Sequence, residues 1–258
     1  MGPSGKPRQG GEIRSISEYM ARVDQLQRRW SQLEGRRFVP WFRGQQEADW
    51  PLQPRFYRKE FVEVNEDNLR FDFKHKAGPF LSGAAVRPQT EWDWYFLMQH
   101  YALPTRLLDW SEGSLVALYF ALQGASRKNR PAIWVLNPYA LNRGAGAKNV
   151  LTASDRVAER YLHPLFNGKS LPQRPLALRP AYNSLRISSQ RGLFTIFGKD
   201  TRPLNQYPYL RQDLVRIEID PTRVLFIRRQ LALAGITETT LFPELASISK
   251  DIVAFWTD

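Results

Sequence analysis

Gln99-His100-Tyr101-Ala102-Leu103-Pro104-Thr105-Arg106-Leu107-Leu108-Asp109-Trp110 places an amide, an imidazole, a hydroxyl, a guanidinium and a carboxylate inside an otherwise apolar run. Any fold that buries the apolar members must supply partners for the polar ones, because an unpaired polar group in an apolar setting costs about 2–7 kcal/mol. A second interruption, Trp41-Phe42-Arg43-Gly44-Gln45, closes an apolar stretch earlier in the chain. Together the two predict a site assembled from strand ends and a helix start.

The 258 residues fit one large domain or two small ones, and 43% hydrophobic with 13% aromatic content marks a folded chain. With no cysteine, disulfides, thiolate metal sites and a cysteine nucleophile are excluded, and a cytoplasmic setting is expected. No apolar run reaches the ~18 residues of a membrane span, so no membrane partner is expected. Residues 1–13 read as a flexible Gly/Pro-rich tail without the apolar core of a signal peptide, leaving 14–258 as a single domain. The net charge of +12, from 37 Lys and Arg against 25 acidic residues, favours a polyanionic partner such as nucleic acid. Arg55, Arg58, Arg174, Arg179, Arg186 and Arg191 are the candidate contacts. A basic surface that only keeps the chain soluble is the competing reading, since no long basic run occurs.

Spacing predicts a helix from a Ser15-Ile16-Ser17-Glu18 capping box to Gly35, carrying Ile16, Tyr19, Met20, Val23, Leu26, Trp30 and Leu33. A strand is expected over 38–42, a helix over 61–76, a loop over 77–89 and a helix over 90–101. The next helix, over 111–125, would be capped by Asp109 or Ser111. Strands follow over 131–136, 193–197, 214–219 and 224–227. Residues 138–180 read as a short helix over 154–161 and a long proline-rich loop holding Pro164, Pro172, Pro175 and Pro180. A closing helix after Pro243 would turn Leu245, Ile248, Ile252 and Phe255 inward. The expected architecture is α+β, with N-terminal helices packed on a mixed or antiparallel sheet and most strands late in the chain.

Phe42-Arg43-Gly44, the run from Gln99-His100 through Pro104-Thr105-Arg106-Leu107-Leu108-Asp109-Trp110, and Ala117-Leu118-Tyr119-Phe120-Ala121 together resemble the FRG domain family, named for the first of these motifs. Gln190-Arg191-Gly192-Leu193-Phe194 and Thr240-Leu241-Phe242-Pro243 extend the likeness over roughly 38–255. Ala102 stands where the family commonly has glycine. The order of landmarks is also similar to that of ADP-ribosyltransferases, which implies an ADP-ribosyltransferase-like fold. It further implies NAD as substrate and a nucleic-acid or protein acceptor, in a bacterial or phage defence or toxin setting. By that resemblance Arg43 matches the phosphate-gripping arginine, Thr105 or Ser111 the hydroxyl position, and Gln190 the late position where a glutamate is usual.

Cleaving the nicotinamide–ribose bond builds positive charge on the ribose, which the Asp109 carboxylate would stabilise. Arg43 and Arg106 would fork onto the pyrophosphate, and His100 would move the acceptor proton. Tyr101, Trp110 and Tyr119 offer flat surfaces for the rings, with Gln45, Thr105 and Ser111 completing the expected contacts. Each residue also has a structural reading: Arg43 and Asp109 as a buried pair, Asp109 with Glu112 as a capping box, His100, Trp110 and Tyr119 as core, Gln190 closing a strand end. A non-catalytic nucleic-acid-binding module and a metal-independent nuclease or nucleotide hydrolase remain the alternatives. The chain has no phosphate-cradling glycine loop or dinucleotide fingerprint, and its three histidines, His75, His100 and His163, stand apart, so no metal site is expected.

Overall fold

The apolar run Ala132–Leu136 is buried along its whole length, as a strand covered on both faces should be. In the computed structural model, which describes residues 9–81, 87–162, 171–180 and 189–257, it is β4 of an eight-stranded sheet. The other strands are β1 (Gln9–Ile13), β2 (Trp41–Gln45), β3 (Leu107–Ser111), β5 (Leu151–Thr152), β6 (Leu176–Arg179), β7 (Gly192–Ile196) and β8 (Leu214–Ile219). Their order is β1-β8-β4-β2-β3-β7-β6-β5. The β1–β8 and β5–β6 pairs are parallel and the rest antiparallel, so the sheet is mixed. The described helices are α1 (Ile16–Glu34), α2 (Glu66–Ala77), α3 (Glu91–His100), α4 (Ser114–Leu122), α5 (Pro138–Gly144), α6 (Arg156–Glu159), α7 (Val224–Leu233), α8 (Glu238–Leu241) and α9 (Leu245–Thr257). The expected α+β class holds, but helices and strands interleave along the chain instead of separating into early and late halves.

Alternation along β4 sends Ile133 and Val135 to one face and Trp134 and Leu136 to the other. The first face packs against α1, α4 and α7 through Tyr19, Trp30, Leu118, Leu122, Ile227 and Leu231. The second gathers Trp41, Leu108, Trp110, Leu193 and Leu141 of α5. A third cluster joins α3 to β3, β6 and β7 through Trp92, Phe96, Leu107, Leu178 and Phe194. Local signals place the helices that matter here. Ser15 accepts from the Glu18 N–H and Gly35 closes α1 in the left-handed region. Thr90 and Asp93 form a reciprocal capping box at the start of α3.

Several expectations are corrected. Residues 9–13 of the supposed tail are a strand on β8, and residues 1–8 lie outside the described set. The first internal strand begins at Trp41, after Pro40, which has no N–H to give a ladder. Asp109 and Ser111 cap no helix. They belong to β3, whose five residues pair with β7, and α4 starts at Ser114 behind Gly113. Residues 224–227 are helical. Asp220 accepts from the Thr222 N–H and turns the chain, and Val224, Ile227 and Leu231 are then buried at helical spacing that a four-residue window conceals. Residues 138–180 contain α5, β5, α6 and β6, while Pro164 lies outside the described residues. In α9 the stripe of Leu245, Ile248, Ile252 and Phe255 is exposed. That helix docks instead through buried Ser247 and through Asp251, which takes the Glu238 and Thr239 N–H groups.

Candidate functional site

The sheet divides at its centre. β2 meets β4 over five registered pairs and β3 meets β7 over five, whereas β2 and β3 are registered at Phe42 and Ser111. Beyond that rung the strands part, and Arg43 occupies the parting. Its Nη1 donates to the Asp109 main-chain carbonyl at 2.7 Å and lies 3.9 Å from the Asp109 carboxylate. A side chain thus satisfies a carbonyl that a continued ladder would have used. Among the described residues the buried Arg43 Nε has no hydrogen-bond partner. Burial lowers the Arg43 pKa, Asp109 opposes that, and Arg58 adds to it by repulsion.

The Asp109 side chain is 57% exposed and opens to a cleft of about 730 Å³. The cleft is lined by both parted strands, the C-terminal end of α3, α4 and the 50–58 segment. Gln99, the first residue of the polar run, orients the carboxylate. Its Nε2 lies 2.9 Å from each Asp109 oxygen, while its Oε1 accepts from Thr105 Oγ1 at 2.5 Å. Thr105 Oγ1 in turn accepts from the Leu107 N–H at 3.1 Å. That chain fixes which end of the Gln99 amide faces Asp109. His100 lines the same cleft, its ring edge-on to Tyr101.

Of the residues expected at the site, Arg43, Gln45, His100, Asp109, Trp110, Ser111 and Gln190 line the cleft. Ser111 Oγ donates to the Gln190 carbonyl at 2.6 Å, and Gln190 Nε2 donates to the Leu241 carbonyl at 3.2 Å. Gln45 accepts from Trp134 Nε1 at 2.8 Å, and Trp110 Nε1 donates to Thr195 at 3.1 Å. Thr105 is buried behind the cleft. Arg106 is not a phosphate ligand in this arrangement. It is 2% exposed, donates through Nε to Glu66 at 2.7 Å and through Nη1 to the Phe197 carbonyl at 2.8 Å, and also reaches the Tyr161 carbonyl. Burial opposes its charge, but Tyr95 and Glu66 more than restore it, so its pKa lies above the usual value. Tyr119 is no ring platform either, since it packs on the α1/α4/α7 core and donates to Glu238. Tyr101 is 64% exposed and outside the lining.

Sequence reasoning passed over Gln99, although it heads the run, and over Trp50, Gln53 and Phe120. Arg55 and Arg58, noted only for their charge, stand at the cleft. Arg174 instead donates to the Gly144 carbonyl, Arg179 pairs with Glu112, Arg191 is exposed and Arg186 falls outside the described residues. The Arg179 pair also shows that Glu112 forms no capping box with Asp109. No helix among the described residues is long and apolar enough to cross a membrane. Residues 39–130, which run from β2 through α4, match the family model of the FRG domain. No curated protein and no solved structure matches the chain.

Proposed function

On the premise that this chain carries an FRG domain, we propose that its cleft is the site of an ADP-ribosyltransferase-like enzyme that takes NAD as substrate and modifies a nucleic-acid or protein acceptor. The observation that supports this most is the convergence of Arg43, Gln99, His100, Asp109 and Gln190 on one open cleft, from elements far apart in the chain. A volume of about 730 Å³ is within the range of organic-ligand sites. In the reaction the bond between the ribose carbon and the nicotinamide nitrogen breaks, its electron pair leaves with nicotinamide, and the acceptor's nucleophile attacks the ribose cation.

The Asp109 carboxylate, held by the Gln99 amide, would face that cation and lower its energy without having to reorient. His100 is the side chain at the cleft suited to receive the proton that the acceptor loses. Incubation with labelled NAD and candidate nucleic acids and proteins tests this reading. Wild type should release nicotinamide and label an acceptor, and Asp109→Asn should do neither at a comparable rate. A folded wild type that consumes no NAD overturns it. A non-catalytic nucleic-acid-binding module is the second reading, favoured by Arg55 and Arg58 at the cleft, and it requires binding without NAD turnover.

A further inference from the structure

We propose that Trp50, Arg55 and Arg58 form a nucleoside-phosphate subsite at the cleft, with the base on the Trp50 indole and the phosphates between the two guanidinium groups. The subsite rests on the reading of the cleft as a nucleotide site and moves phosphate recognition away from Arg106. Among the described residues three arginines, Arg43, Arg55 and Arg58, line the cleft against one carboxylate, Asp109. Asp109 is already near Arg43, and the Arg58 guanidinium has no ion pair or hydrogen bond among the described residues. Arg55 has one donor on the Ala102 carbonyl at 3.1 Å, lies 5.5 Å from the Phe61 ring centre, and makes no ion pair among the described residues. Positive charge left without counter-charge in a concave site attracts an anion. A guanidinium pair suits phosphate better than a carboxylate-free pair of ammonium groups would, because each presents a planar fork.

The segment that carries these side chains is anchored. Leu52 is fully buried and its carbonyl accepts from the Leu204 N–H at 3.0 Å. Gln53 donates to the Thr201 carbonyl at 2.6 Å, and Tyr57 OH donates to the Gly198 carbonyl at 3.1 Å. Arg55, between these anchors, and Arg58, directly after the last of them, are exposed, and just before the segment stands Trp50, 49% exposed. Pro51 and Pro54 stiffen the same stretch. An exposed indole beside guanidinium groups that no acid pairs among the described residues, on an anchored turn, is the combination that single nucleotides and single strands use, stacking on the ring and paired through phosphate.

Calorimetric titration of the full chain with ADP, with NAD and with a short single-stranded oligonucleotide tests the subsite, alongside Trp50→Ala and Arg58→Ala. Both substitutions are at the surface, and circular dichroism checks that each variant folds. ADP should bind wild type and weaken about tenfold in either variant, the loss expected for one stacking or one charged contact. An oligonucleotide that binds more tightly than ADP, with a salt slope about one smaller in Arg58→Ala, supports the subsite and identifies a strand as its source. Equal affinity for ADP and the oligonucleotide supports it with a free nucleotide as the source. Variants that bind ADP as wild type does overturn the subsite, and NAD turnover then shows that the cleft reading stands. Wild type that neither binds ADP nor consumes NAD overturns both.

Discussion

At Gly44 a β-carbon would sit 2.0 Å from the Ala117 carbonyl oxygen and 2.4 Å from the Ala121 nitrogen. The glycine that follows Arg43 is therefore what lets α4 lie directly on β2, and the two small alanines serve the same approach. Gly44→Ala should cost at least about 3 kcal/mol or prevent folding, read as loss of the cooperative thermal transition. Ala102 shows the opposite case. Its φ of +58° places a β-carbon in the left-handed region, where an L-residue costs about 1–2 kcal/mol. Ala102→Gly should raise the melting temperature by about 2 °C, the relief being partly offset by a more flexible unfolded chain. Asp109→Asn separates chemistry from stability. With its side chain more than half exposed, the melting temperature should change little, while the proposed turnover of NAD should fall by about a hundredfold or more.

Among the elements, α2 matters most to the site without touching it. Glu66, buried at its start, binds Arg106 and receives the Tyr95 hydroxyl, and Tyr95 OH accepts from the Arg106 N–H at 2.8 Å. The network joins α2, α3 and the chain leading into β3, and so fixes the Gln99–Thr105 relay from behind. Glu66→Gln leaves a buried guanidinium without its counter-charge and should cost about 3–5 kcal/mol, measured by urea denaturation. Which elements could be read in advance follows from the same physics. α1 and α3 announced themselves through caps and spacing, and Arg43, His100 and Asp109 through their apolar surroundings. Arg106 has those same apolar surroundings, and nothing local distinguishes a buried cation whose acid lies forty residues earlier, at Glu66, from one aimed at a ligand. The helix at 224–233 and the outward stripe of α9 depend on what packs against them, which spacing alone does not contain. The parting of β2 from β3 is likewise a long-range event.

At the scale of the whole molecule, and among the described residues, carboxylates held low outnumber those held high. Burial alone would raise Glu34 and Glu91, but hydrogen bonds from Arg143 to the first and from Lys74 and Arg70 to the second overcome it. Asp200, Asp220, Glu238 and Asp251 are also lowered, whereas burial raises Asp67 and Asp213. A carboxylate lowered in the folded state adds stability above its unfolded value, about pH 4, and that stability is lost as pH falls through the folded value. The urea midpoint should therefore drop below about pH 4, and a midpoint that held or rose on acidification would show the two raised groups to dominate. The single rung at Phe42 and Ser111 gives the sheet two four-stranded wings with one backbone stitch between them. A guest reaching both Arg43 and Asp109 would staple the wings, so occupancy and cohesion rise together: at a hundred times its dissociation constant it adds about 2.7 kcal/mol, and amide hydrogens along the suture should exchange more slowly.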